Sequence, residues 1–304
     1  MVKLLHFSDV HLTVPTLHWR TRDVLSKKAI GWVNIHWLGR GHRFRHARTV
    51  AAAMMADAVE AKHDGLIFTG DATKLAFEPE FEYAAKILRC GDTLLPPGVA
   101  IPGNHDYYTK RDVRSGKFER HFGPWLDGLR ADESHRYPFA RKFGHVWIIA
   151  LNSSNPRRLN TTASATAGED QLERLRMLCT KLDAGPRVIA THYPLRNGTG
   201  RVERRSHRLI DHRAALAAAA ECGVGLWLHG HIHKPFTLPP SEEIPFPLIC
   251  VGSATQTHRW SHNIYTLDGY GLTMQRRTWN HTAQKFDDAE QQQFTLRPES
   301  ETGQ

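Results

Sequence analysis

Val2-Lys3-Leu4-Leu5-His6-Phe7-Ser8-Asp9-Val10-His11 opens the chain as an apolar run that passes directly into two polar side chains. Residues 2–8 read as a buried strand, and the turn-forming Asp9 ends it. The same punctuation recurs along the chain. Leu66-Ile67-Phe68-Thr69 ends in Gly70-Asp71, and Val99-Ala100-Ile101 leads through Pro102 into Gly103-Asn104-His105-Asp106. Residues 187–191 end at His192, and Leu226-Trp227-Leu228 ends in His229-Gly230-His231-Ile232-His233. Helices are expected between these runs. Residues 47–62 carry Val50, Met54, Ala58 and Val59 at helical spacing, 169–182 carry Leu172, Leu175, Leu178 and Leu182, and 78–89 and 211–222 fit the same period. Further strands are expected at 146–151, 247–253, 262–267 and 271–279, the last two joined by Asp268-Gly269 as a hairpin. Strand and helix alternate, with an antiparallel finish, which predicts an α/β sandwich.

The 304 residues, 40% of them hydrophobic, suffice for one large core or two modest ones. No apolar run reaches the roughly 18 residues of a spanning helix, and the first motif stands too near Met1 to follow a signal peptide. A cytoplasmic protein is the expectation. Cys90, Cys179, Cys222 and Cys250 form no CxxC pair and lie in apolar or helical surroundings, which argues for reduced thiols and against a thiolate metal site. A net charge of +9 favours anionic partners. Two segments depart from the pattern: residues 17–46, rich in Trp, His and Arg, and a polar, Gln-rich tail over 286–304 that is expected to be disordered.

Ligand sites in α/β sheets form beyond the carboxyl ends of strands. Five polar clusters stand there: Asp9-x-His11, Gly70-Asp71, Gly103-Asn104-His105-Asp106, His192 and Gly230-His231-x-His233. Singly each is ordinary. Asp after a strand is a turn former, Gly-Asp a common turn dipeptide, and a strand-end histidine is often only a satisfied structural group. Together they would bring three carboxylates, five imidazoles and an amide into one cleft, the chemistry of a binuclear metal site. Nitrogen and oxygen ligands without thiolate suit Mn, Fe or Zn. Arg196, His258 and Asn152-Ser153-Ser154 are weaker candidates for the same cleft.

The set resembles the calcineurin-like metallophosphoesterase family, whose pattern is D-x-H, G-D, G-N-H-D, a later H, and G-H-x-H, over residues 4 to about 268. The resemblance implies a four-layer α-β-β-α sandwich of two mixed sheets, here one domain over residues 1–285 with 17–46 inserted. It also implies two divalent ions, manganese favoured. Asp9, His11 and His233 would take one ion, Asn104, His192 and His231 the other, and Asp71 both. A hydroxide between them would cleave a phosphodiester or pyrophosphate bond. His105 would give a proton or hydrogen bond to the leaving group, and Asp106 would orient its ring.

Residues 17–46 bear on the substrate. Trp19, Ile30, Trp32, Val33, Ile35, Trp37, Leu38 and Phe44 are mixed with seven Lys or Arg and one acid, Asp23. Residues 27–38 can be drawn as an interfacial helix against anionic lipid, or as a helix packing its aromatics on the protein. Three substrates compete: a small cyclic nucleotide, a nucleotide-lipid such as UDP-2,3-diacylglucosamine at the inner membrane face, and nucleic acid. Nucleic acid is disfavoured by the lack of a second binding domain. A non-catalytic scaffold is disfavoured because every ligand position is filled.

Overall fold

The computed structural model describes residues 1–37, 40–156 and 162–296. Fifteen strands lie among them, in chain order β1 Val2–Phe7, β2 Gly65–Phe68, β3 Gly98–Ala100, β4 Leu129–Arg130, β5 Phe139–Phe143, β6 Val146–Ala150, β7 Asn155–Pro156, β8 Ala165–Thr166, β9 Arg187–Ala190, β10 Val224–His229, β11 Phe236–Leu238, β12 Leu248–Cys250, β13 Ser261–Asp268, β14 Gly271–Asn280 and β15 Lys285–Thr295. The helices are α1 Thr21–Val24, α2 Lys27–His36, α3 Ala47–Glu60, α4 Glu78–Ile87, α5 Lys110–Ser115, α6 Lys117–His121, α7 Glu169–Cys179 and α8 His212–Glu221.

One sheet runs β15-β14-β13-β1-β2-β3 and the other β11-β12-β10-β9-β6-β5-β4, with β7 and β8 as a small ribbon. Both are mixed. β1, β2 and β3 are parallel while β13 runs antiparallel to β1; β6, β9, β10 and β12 are parallel while β5 and β11 run against them. This is the expected sandwich, and the period of two in the strands makes its layers. Val146, Ile148 and Ala150 join the core shared with β1, β2 and β3, whereas Ile149 and Leu151 join a second core with Leu172, Leu175 and Leu178 of α7 and Ala215, Ala218 and Ala219 of α8. Val50, Ala51, Met54, Met55 and Ala58 of α3 are fully buried and belong to the same core as the strands of the first sheet. Each fully buried Val, Leu or Met side chain contributes about 1.5–3 kcal/mol.

The tail departs from expectation. Residues 285–295 are not disordered but form β15, paired along its length with β14. Phe286 packs on Trp279 and on His262, ring centroids 5.1 and 4.5 Å apart, and Leu296 is buried. The acidic and amide side chains of this edge strand are exposed (Asp288, Gln291, Gln293) or half-buried (Asp287, Glu290, Gln292), so polarity there marks a wet edge and not absence of structure. Residues 297–304 lie outside the described part.

The inserted segment folds as α1, α2 and a 3-10 turn Arg40–Phe44. Its inner face packs on the protein. Trp19 lies against Phe77 at 4.8 Å, and Lys28 is buried with Nζ 2.9 Å from both the Ala76 carbonyl and Asp112 Oδ1. Its outer face leaves Val24, Leu25, Ile30, Val33 and Trp37 exposed. The segment thus packs one face on the protein and leaves apolar side chains exposed on the other; Leu38 falls outside the described residues.

Candidate metal centre

The loops after β1, β2 and β3 lie side by side. Asp9 N donates to Gly70 O at 2.9 Å and His11 N to Asp71 O at 3.0 Å, so the first loop follows the second like a short extra strand. Across the sandwich, Gly230 N donates to His192 O at 3.2 Å, and Ala254 N reaches Ser8 O at 2.9 Å to join the sheets. The glycines permit this closeness. A Cβ on Gly103 would sit 2.1 Å from Asp71 Oδ1, and one on Gly230 would sit 2.4 Å from Asp9 Oδ2. Asp9, His11, Asp71, His231 and His233 all take positive φ, between 42° and 68°. That conformation costs an L-residue roughly 1–2 kcal/mol, and its concentration in one set of side chains is the pattern of a functional site.

The side chains converge as two halves around Asp71. In one, His233 Nε2 lies 3.0 Å from Asp9 Oδ1 and 3.1 Å from His11 Nε2, and His11 Nε2 lies 3.5 Å from Asp71 Oδ2. In the other, His192 Nε2 lies 3.6 Å from the same Asp71 oxygen and 3.2 Å from Asn104 Oδ1, which is 2.9 Å from His231 Nδ1. Asp71 Oδ2 thus faces both halves. All seven expected ligands are together.

What surrounds them fixes which atom points inward. His11 Nδ1 meets the Thr73 carbonyl at 3.3 Å, His192 Nδ1 the Thr69 carbonyl at 2.7 Å, His231 Nε2 the His207 carbonyl at 3.0 Å, and His233 Nδ1 the Gln256 Oε1 at 2.6 Å. Each acceptor holds the ring N–H outward and turns the other nitrogen's lone pair to the centre. The carboxylates are handled likewise. Asp9 Oδ2 accepts from His231 N at 3.0 Å and Asp71 Oδ1 from His105 N at 2.7 Å, which leaves one inward oxygen each; Asp9 Oδ1 is buried without a hydrogen bond. Lone pairs gathered at 3.0–3.7 Å repel one another, and cations between them would relieve that.

Electrostatics carry the same signature. Burial and then the Asp9 charge push the Asp71 carboxyl well up, while at Asp9 the surrounding His233, His11 and His192 outweigh burial and hold it well below the usual range. Burial lowers His11 to about 4 and holds His192 and His231 below the ordinary value, in the neutral form a metal needs. His233 alone is raised, because the Asp9 charge outweighs its burial.

His105 stands beside the cluster, its ring 4.8 Å from that of His11, with Nδ1 donating to the Lys74 carbonyl at 2.7 Å. Here the expectation for Asp106 is corrected. Its carboxylate takes four hydrogen bonds, from the amides of Ala72, Thr73 and Gly103 and from Thr73 Oγ1, at 3.0–3.1 Å, and has none with the His105 ring. Asp106 staples the β2 and β3 loops together, and the Lys74 carbonyl orients His105. Ser153 plays a similar structural part, its Oγ accepting from the amides of His192 and Tyr193 at 3.2 and 3.0 Å. Arg196 is engaged by Glu243 at 2.7 Å, and His258 lines a separate cleft with Arg259 and Trp260. Gln256 was missed by sequence reasoning; the one available signal was its place in the loop after β12, another carboxyl end.

A cleft of about 1240 Å³ runs from Asp71, Asn104, His231 and His233 past Tyr108 to Val24, Leu25 and Ile30 of the inserted segment. Among the described residues no helix is long and apolar enough to cross a membrane.

A profile of calcineurin-like phosphoesterases matches residues 2–235 of the chain. No curated protein gives a sequence match. The structure is similar to a dimetal phosphatase from Danio rerio, with a TM-score of 0.65 at 12% identity over 97% of this chain and 99% of that one. It is also similar to a purple acid phosphatase from yellow lupin (Lupinus luteus) seeds, with a TM-score of 0.64 at 12% identity over 97% of this chain and 53% of that one. At these identities the likeness is one of fold.

Proposed function

The chain belongs to the calcineurin-like phosphoesterase family, a binuclear metallophosphoesterase, and from that premise we propose that it hydrolyses a phosphodiester or pyrophosphate bond in a substrate with an apolar tail. Asp9, His11 and His233 would hold one divalent ion and Asn104, His192 and His231 the other, with Asp71 shared. When bound, such ions supply an activated water at neutral pH and offset the charge of the phosphoryl oxygens. The donor set, oxygen and imidazole nitrogen without thiolate, suits manganese, iron or zinc, and manganese is our assignment.

The protein's own groups do the rest. Because His105 Nδ1 is held by the Lys74 carbonyl, the atom turned to the cleft is Nε2. Burial and then the neighbouring His11 keep this imidazole well below its ordinary pKa in the free protein. An arriving phosphoryl anion favours the charged form, so Nε2 takes up a proton with the substrate and holds it for the leaving oxygen.

The observation that carries the substrate reading is the cleft itself. It joins the ligand cluster to Val24, Leu25 and Ile30, part of a solvent-facing apolar strip left exposed among the described residues. An amphiphile with its phosphoryl group at the cluster would lay its acyl chains along that strip, and the segment would rest on an anionic membrane surface. A paired turnover assay with Mn²⁺, comparing kcat/KM for UDP-2,3-diacylglucosamine and a 3′,5′-cyclic nucleotide, tests this. The acylated substrate should be preferred by at least tenfold, and the protein should co-sediment with anionic liposomes at low salt. A preference for the cyclic nucleotide without liposome binding would make this a phosphodiesterase of small nucleotides.

A further inference from the structure

A second, more closed cavity of about 150 Å³ abuts the cluster, walled by His11, His105 and His233 on one side and by Phe44 and Leu75 on the other. Lys74 lines it. This side chain is only 8% exposed, yet its ammonium has neither a hydrogen bond nor a salt bridge with any described residue. Its neighbours are the Phe44 ring, 5.5 Å from Nζ, and the charge of Glu80. Glu80 is committed elsewhere: Oε1 accepts from Thr13 Oγ1 at 2.6 Å, and Oε2 from the amides of Leu75 and Phe77 at 3.0 and 3.1 Å. Burial pushes the Lys74 ammonium below its ordinary pKa, as expected of a charge still lacking its counter-ion. Lys74 lines the same cavity as His11 and His233, which places it beside the ligand cluster. Arg43, exposed to solvent, lines the same cavity.

We propose that this cavity is the subsite for a second anionic group attached to the scissile phosphoryl, with Lys74 as its principal ligand, so that the substrate is a diphosphate ester and not a simple phosphodiester. The inference rests on the assignment of the adjoining cluster as the metal centre. Location makes the second group a close neighbour of the first, because His11 and His233 belong to the cluster and also wall the cavity. Size and charge decide its nature. The space suits a phosphoryl group, and an acyl chain placed there would bury the Lys74 ammonium against hydrocarbon. The long apolar part of the substrate is left to the larger cleft. Lys74 then acts twice, its carbonyl orienting His105 and its side chain binding the neighbouring phosphoryl.

Calorimetric titration of the Mn²⁺-loaded full chain with methylenediphosphonate and with methylphosphonate, neither of which is hydrolysed, tests the subsite. Wild type should bind the diphosphonate more tightly, and Lys74→Met should erase about 10- to 100-fold of that preference, the usual worth of a charge-assisted hydrogen bond. Retained binding of methylphosphonate by the variant shows that the fold and the metals survive, and Lys74→Gln repeats the comparison with a polar side chain. Equal binding of the two ligands by wild type, or a preference that both variants keep, overturns the subsite while leaving the metal centre intact. If neither ligand binds metal-loaded wild type, the metal-centre assignment fails and the subsite with it.

Discussion

In the ligand cluster every histidine has one ring nitrogen anchored to an oxygen, at 2.6–3.3 Å, and the other turned inward. The inserted segment, which borders the same cleft, is held mainly by its inner face, through Trp19 on Phe77 and the buried pair of Lys28 with Asp112. Its outer face leaves Leu25 86% exposed, Ile30 65% and Trp37 79%. The cluster is preorganised by hydrogen bonds and takes ions into a fixed geometry. The segment is unsatisfied hydrophobically and gains by covering apolar surface. On the proposed function one region sets the reaction and the other the substrate, and substitutions should separate the two.

The largest effect is expected at Asp71, whose Oδ2 faces both halves. Asp71→Ala should lower turnover by roughly 10⁴-fold or more, on every substrate, because the activation that paired ions supply is lost. His105→Ala should keep both metals and lose about 10²- to 10⁴-fold in kcat, the range for a general acid; loss of metal in that variant, read by elemental analysis, would break the division of roles. Gln256→Ala, which frees His233 Nδ1, should weaken metal affinity by about 10- to 100-fold, as removal of a ligand's orienting partner does. Ile30→Asp should lower kcat/KM for an acylated substrate by about tenfold, for lost apolar contact and a charge placed on the strip. It should leave a water-soluble phosphodiester unaffected. An equal fall on both would mean that the segment shapes the metal centre and not only the tail site.

The pH dependence of metal loading sharpens the cluster side of the comparison. In the metal-free protein His233 is raised by the Asp9 charge, whereas burial has already stripped the proton from His11, His192 and His231 near neutrality. Loading must therefore displace a proton from His233 below its raised pKa and from none of the other three histidines, while the raised Asp71 carboxyl is a second group that has to give up its proton. Apparent affinity should fall by up to about tenfold per pH unit for each of these protons as pH drops through the pKa of its group. His233→Gln, which has no proton to displace, should lessen the slope to the part that Asp71 contributes while weakening binding overall.

How much of this could be read in advance follows from what each feature depends on. The parallel strands and four major helices were legible because their periodicities are long and their ends are punctuated. The seven candidate ligands were legible because strand ends carry them in an order that resembles the family's pattern. The groups that aim the ligands were not. Thr69, Thr73, Lys74 and His207 act through backbone carbonyls, which no side-chain pattern records. Asp106 misled for the same reason: the family resemblance implied that it orients the His105 ring, but three backbone amides compete for its carboxylate and win. β15 was hidden because an edge strand with a wet face has the composition of a disordered tail. In the inserted segment both faces of α2 were visible as composition, and only tertiary packing decides which side chains each face keeps.

The assignment of seven side chains to two ions around Asp71 is tested most directly by counting metal. Elemental analysis after Mn²⁺ loading and removal of excess should give two equivalents per chain for wild type, close to one for Asn104→Ala, and close to none for Asp71→Ala. Two equivalents retained by Asp71→Ala, or one at most in fully active wild type, would contradict the shared role of Asp71 on which the account rests.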